Sequence, residues 1–237
     1  MDGGLFNPAI PRHYYDPRYG IHFREDFLTS YTGVFQQTVT GTGAGLNQNT
    51  WPQGTALPSA DWIGITRFAT GTTATGYATI GTLWPLPLGL GATWIESRIR
   101  LEALSDGTDT YTFRLGYLDA FGGESVDAVG FRYTDAVSGG RWQAYTRNSN
   151  TETAADTGIT AALATDYKLR IEVNAAASQV LFYINGVLVA TITTNIPIGT
   201  TRFTGIGAQM IKSLGIVNKN IMMDYIEFDY IFTTPRS

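Results

Sequence analysis

Residues 94–104 read WIESRIRLEAL, and the alternation within them constrains the fold more than any other stretch of the chain. Trp94, Glu96, Arg98 and Arg100 fall on one side of an extended backbone, while Ile95, Ile99 and Leu101 fall on the other. That is the pattern of a strand with one face buried. The period recurs in HFREDFL (22–28), where His22, Arg24 and Asp26 oppose Phe23 and Phe27. It returns at 62–68, 76–81, 111–119, 128–133, 141–147, 167–174, 202–212 and 221–232, with Gly, Thr, Asn, Asp or Pro clusters between nearly all of these runs. No helical stripe appears. Many short strands joined by turn residues predict an all-β fold, a two-sheet antiparallel sandwich or barrel.

One turn can be read in detail. In FYINGVLVATITTNIP (182–197), Asn185-Gly186 separates two apolar β-branched runs. A type I′ hairpin needs φ > 0 at both central residues, which Asn and Gly tolerate. Pro197 then marks the end of the extended run. Residues 41–60, by contrast, show no period and read as an irregular stretch.

At 237 residues the chain suits one large all-β domain, which buries roughly 70% of its unfolded surface and needs no staples. It has no cysteine, which excludes disulfides and thiolate metal sites. Charged residues are only 15%, and a formal net charge of −4 without any basic run gives no footprint for nucleic acid or anionic lipid. The opening MDGGLFNPAIPRHYY lacks the basic and apolar regions of a signal peptide, and 83–95 is too short and too broken by Pro and Gly to span a bilayer. The expectation is a protein made in a cytoplasm, with no membrane partner.

Residues 1–22 differ from the rest. Pro8, Pro11 and Pro17 alternate with Phe6, Tyr14, Tyr15 and Tyr19, and no period is visible. Tyrosine offers large amphipathic area, and proline limits the freedom lost on docking. The segment therefore reads as an extended contact arm preceding a domain at 23–237, with those four aromatics as its partner-binding residues.

Several segments together carry a resemblance. FLTSYTGVFQQTVTGTGAGLNQNTWPQG, ITRFATGTTATGYATI, YKLRIEVNAAASQVLFYINGVLVATITTNIP and MMDYIEFDYI resemble the opening, middle and closing strands of concanavalin A-like (laminin G-like) jelly-roll domains in tailed-bacteriophage structural proteins. The resemblance spans about residues 23–232. It implies a two-sheet antiparallel jelly roll whose first and last strands are neighbours, bringing Phe23–Leu28 near Met222–Phe232. It also implies a non-enzymatic virion protein. The expected role is a capsid decoration (cement) or head–tail accessory subunit, bound to the major capsid protein or other virion subunits and fit for a small homo-oligomer such as a trimer. The alternative is a glycan-binding receptor module of a tail fibre, with a host glycan as ligand.

The chemical candidates are few. Glycosidases of the laminarinase type share this fold and carry Glu-x-Asp-x-x-Glu on one strand, and here Glu227 and Asp229 fill two places while Phe232 takes the third. A retaining mechanism needs two carboxyl groups about 5–5.5 Å apart, so a laminarinase-like activity ranks third. Glu96 and Glu102, six residues apart, read as surface. Calcium is the one cofactor with any material: Asp106 and Asp109 in SDGTDT offer oxygens, although Asp-Gly between strands also suits a hairpin turn. With two histidines, no zinc site or nucleophilic triad is visible. Trp51, in the loop NQNTWPQG, is the candidate aromatic platform for a sugar.

Overall fold

The computed structural model describes residues 16–27, 35–48, 62, 64–82, 85–199 and 201–236, and every regular element among them is a strand. The strands are β1 Gly20–Glu25, β2 Phe35–Thr40, β3 Ala44–Gln48, β4 Thr66–Thr70, β5 Tyr77–Thr82, β6 Leu86–Pro87, β7 Gly91–Leu101 and β8 Tyr111–Leu118. They continue with β9 Ala128–Tyr133, β10 Arg141–Asn148, β11 Thr151–Thr160, β12 Asp166–Val173, β13 Val180–Ile184, β14 Val187–Ile192, β15 Phe203–Lys212 and β16 Asn220–Phe232. One antiparallel sheet runs β14-β13-β12-β7-β16-β4-β3, with β1 also on β16; the other runs β11-β10-β9-β8-β15-β5-β2, with β6 on β15. This is the two-sheet antiparallel sandwich that the alternation predicts, in the jelly-roll form that the resemblance implies.

Alternation sorts the side chains as expected. In β7, burial strictly alternates: Ile95, Ile99 and Leu101 are buried between the sheets, and Trp94, Glu96, Arg98 and Arg100 are half-buried on the outer face. Rings from opposite sheets interlock: Phe68 meets Phe113, Tyr167 meets Trp142 at 5.4 Å and Phe182 meets Phe131 at 5.3 Å, mostly edge to face. A single continuous core results.

The Asn185-Gly186 turn forms as predicted, with φ of 52° and 79°. The Asn185 side chain also accepts the Lys168 N–H at 2.8 Å, and its own N–H bonds Lys168 O, tying the hairpin to β12. The first and last strands pair directly, with Phe23 opposite Phe228. β1 begins at Gly20, so Gly20, Ile21 and His22 are registered on β16. Tyr19 stays with the body: its carbonyl accepts the Phe232 N–H, and Arg18 lies over its ring.

Two expectations fail. Residues 44–48, within the stretch read as irregular, form β3. Asp106-Gly107 does not close a hairpin, because β7 and β8, which it connects, belong to different sheets. Asp106-Gly107 and Asn185-Gly186 share the same turn chemistry, and only the sheet assignment of their flanking strands separates them.

Candidate functional site

The carboxylates singled out in the sequence lie on the outer face of the β7–β16 sheet. Register places His22, Asp229, Trp94 and Glu172 in one row and Arg24, Glu227, Glu96 and Arg170 in the next. Glu96, which sequence spacing sets aside as surface, stands directly opposite Glu227, where Cβ atoms are about 4.5–5.5 Å apart. Both are occupied. Arg24 donates to Glu227 at 3.1 Å and His22 lies 3.7 Å from it. Tyr225 donates to Glu96 at 2.7 Å, with Lys168 and Arg170 at 3.5 and 3.7 Å. Arg24, Arg98 and Arg170 stack on Tyr225, Trp62 and Trp94 respectively. This face is a closed network of ion pairs and stacked guanidinium groups. Asp229 is the exception: it is 2% exposed, its Oδ1 has no hydrogen-bond partner, and burial pushes its carboxyl up to about 6.

The outer face of the other sheet is built differently. Gly81, Gly207, Gly116 and Gly130 lie side by side on β5, β15, β8 and β9, and the row ends at Tyr145 on β10. A methyl group at Gly116 would strike the backbone of β9, and one at Gly207 that of β5. Glycine inside a strand marks such close approach of backbone or ligand. Phe121, from the β8–β9 connection, lies over Gly81, Gly205 and Gly207, leaving no room for a Cβ at any of them.

Polar side chains flank this bare floor. On one side, Gln209 and Arg114 are paired neighbours, with Arg132 and Gln143 continuing their row. On the other side stands Arg147, opposite Ala128. Arg132 is fully engaged, with Glu152 at 2.9 and 3.2 Å and Gln143 at 3.0 Å. Gln209 is not. It is wholly buried, yet neither its amide oxygen nor its amide nitrogen has a partner among the described residues. Arg114 Nε and the Tyr145 hydroxyl are also buried without a hydrogen-bond partner among the described residues, and Arg147 Nε, likewise without a hydrogen bond, lies 3.8 Å from Glu152. Burial also pushes the Tyr145 hydroxyl up to about 12, so it remains a neutral donor. Nearly all buried polar groups in folded proteins are hydrogen-bonded, and each unmet one costs about 1–3 kcal/mol. Unmet hydrogen-bonding capacity from Gln209, Arg114 and Tyr145 thus gathers around one glycine row.

The other candidates from the sequence do not join either face. Asp106 accepts the N–H groups of Thr108 and Asp109 and an ion pair from Lys219 at 2.7 Å, which hold its carboxyl down to about 2. Asp109 accepts the Val217 N–H at 2.8 Å. Both thus stitch the β7–β8 connection to the segment before β16. No group of three or more His, Cys, Asp or Glu able to hold a metal stands among the described residues. Trp51, Phe6, Tyr14 and Tyr15 lie outside the described residues. Gln209, Arg114, Tyr145 and Phe121 are not singled out by their sequence surroundings. The available signal was glycine at inward-skipping positions of four separate strands, in TIG, RLGY, AVGF and GIGAQ.

A family model described as "SO2946-like, C-terminal domain" matches residues 61–224, well over half the chain. The chain belongs to that family. Among solved structures, a protein of unknown function, SO2946 from Shewanella oneidensis MR-1, aligns with a TM-score of 0.64 at 14% identity, covering 92% of this chain and 90% of that one. A Bacillus licheniformis β-glucanase aligns at 0.57 and 15% identity, over 89% and 97% of the two chains. The Emp47p carbohydrate recognition domain aligns at 0.57 and 11% identity, over 91% and 96%. No curated protein sequence matches. These neighbours share the concanavalin A-like jelly roll, which agrees with the fold part of the sequence resemblance; at such identities the fold is all they carry.

Proposed function

We propose that this chain is a non-catalytic carbohydrate-binding domain that holds a glycan on the outer face of the β5–β15–β8–β9–β10 sheet. The observation that carries the reading is the set of Gln209, Arg114 and Tyr145 atoms without a hydrogen bond around a glycine floor. Sugars present dense hydroxyl groups, each donor and acceptor, on an otherwise apolar ring. A buried amide with both ends open can serve two adjacent hydroxyls. Phe121 covers Gly81 and Gly207 at one end of the row and Tyr145 stands beside Gly130 at the other, so a sugar ring would seat between these two aromatic side chains, over Gly116 and Gly130. The names of two neighbours, a β-glucanase and a carbohydrate recognition domain, agree with a sugar ligand on this fold.

Binding is favoured over hydrolysis because the carboxylates beside the glycine row are engaged, and Asp229, whose Oδ1 has no hydrogen bond, is buried on the opposite sheet. Glu124 and Glu152 are held by arginines on this face, and Glu96 and Glu227 by cations on the other. A glycosidase needs a nucleophile and an acid facing one bond. The setting carried by the sequence resemblance is a tailed-phage particle, where such a domain serves as a receptor module or a decoration subunit seated through the arm. Deletion of residues 1–15 tests that setting: attachment to particles should fall while the melting temperature holds.

The test of the main reading is isothermal titration with a panel of neutral and acidic tetrasaccharides, against wild type and Gln209→Ala. Binding to wild type that falls at least tenfold in the variant, at an unchanged melting temperature and without release of reducing ends, is the expected result. Absence of binding by every glycan, or affinity indifferent to Gln209, would refute it.

A further inference from the structure

Arg132 and Arg114 are cross-strand neighbours with different counter-ions. The partner of Arg132 is Glu152, a residue of β11 in the same sheet, making a two-point contact. The partner of Arg114 is Glu124, which comes from the β8–β9 connection, follows Gly122-Gly123 and is 48% exposed. The guanidinium it reaches is only 7% exposed. The other Glu124 oxygen accepts Arg147 Nη1 at 2.7 Å, so the carboxylate bridges from one side of the glycine row to the other.

We infer that this face takes an acidic glycan, and that Glu124 occupies its carboxylate subsite until a sugar carboxylate displaces it. This rests on the carbohydrate-binding reading and names the class of sugar.

Three observations carry it. Glu124 uses Arg114 Nη2 alone, while Arg114 Nε, the other prong of the same edge, is unpartnered. A carboxylate docked along that edge gains a two-pronged, charge-assisted contact that the loop glutamate does not make. Next, the local charge favours an anion. Arg114, Arg132 and Arg147 face Glu124 and Glu152, a surplus of one positive charge (3 − 2), which becomes two when Glu124 leaves (3 − 1). Finally, the unpartnered Gln209 amide adjoins Arg114 in register and is placed for hydroxyls of the same sugar. An acidic peptide would satisfy the arginines but bring no vicinal hydroxyls to Gln209. Arg114 needs an anion to remain buried, and the loop supplies one when no ligand is bound.

The experiment compares tetragalacturonate, its fully methyl-esterified counterpart, cellotetraose and tetraglutamate by isothermal titration. The wild type should bind tetragalacturonate about tenfold or more tightly than the ester. Glu124→Gln should tighten the acid about threefold to fivefold, and more than it tightens cellotetraose, since it removes an internal competitor at an exposed position. Arg114→Lys should abolish the preference for acid over ester. Hydrogen exchange of residues 120–126 should rise when tetragalacturonate is added, as the loop releases. Equal binding of acid and ester, tetraglutamate binding as tightly as tetragalacturonate, or an unchanged or weaker acid affinity in Glu124→Gln would overturn the inference. If neutral sugars bind in a Gln209-dependent manner without acid preference, the carbohydrate reading stands and this one falls. Failure of every sugar to bind overturns both.

Discussion

Asp229 offers a stability test with a defined pH signature. It sits in β16 between His22 of β1 and Trp94 of β7, and is 2% exposed. Burial raises its carboxyl from 3.8 to about 6; Glu227 adds to this, while His22, the Tyr230 N–H and Arg170 oppose it. The folded protein therefore holds a proton here more tightly than the unfolded chain does. The resulting stability is fully present below about pH 4 and is lost as pH rises through about 6. Two powers of ten in proton affinity correspond to about 2–3 kcal/mol at pH 7. Asp229→Asn, which keeps the shape and cannot ionise, should stabilise the protein by about that amount at pH 7 and by little at pH 4. For a chain of this size the gain is about 5–10 °C in Tm. The assay is thermal unfolding of both proteins from pH 4 to 8. A difference independent of pH, or an Asn variant that melts lower at pH 7, would show that the carboxylate is not held neutral by burial.

Two further outcomes are expected. Gly186→Val places a β-branched residue at φ of 79°, with no neighbouring atom to clash, so the cost of about 1–2 kcal/mol is backbone strain alone; an unchanged urea midpoint would contradict it. Gly81→Ala should push Phe121 off its floor, and hydrogen exchange of residues 119–126 should rise while β7 and β16 stay protected; unchanged exchange in that loop would mean the ring does not rest there.

The alternation of WIESRIRLEAL and the Asn-Gly turn were legible because each depends on neighbours in sequence. The β11 strand, TETAADTGIT, was not, since an exposed edge strand has no buried face to impose a period. The candidate site was hidden for a related reason. Gly81, Gly116, Gly130 and Gly207 are far apart in the chain, and only register makes them one floor. Glu96 and Glu227 illustrate the same point: their separation along the chain says nothing of their being cross-strand partners. Asp106 was legible as a turn residue, but its Lys219 partner lies over a hundred positions away.

The pairing of β1 with β16 also sets how the domain answers to tension. Gly20 faces Ile231, Arg236 bonds the carbonyls of Pro17 and Arg18, and the two strands run antiparallel from that corner. A pull applied through residues 16 and 236 therefore loads the Arg236 bonds to Pro17 and Arg18 first, then the Tyr19–Phe232 bond and the Gly20–Ile231 rung, and opens the ladder one rung at a time, as a zipper rather than in shear. β1 would peel from the sheet at low force, exposing the β16 edge beside His22 and Arg24. The glycine floor lies on the opposite sheet, outside this load path, so a domain pulled from both ends would yield at one face while the other stays intact.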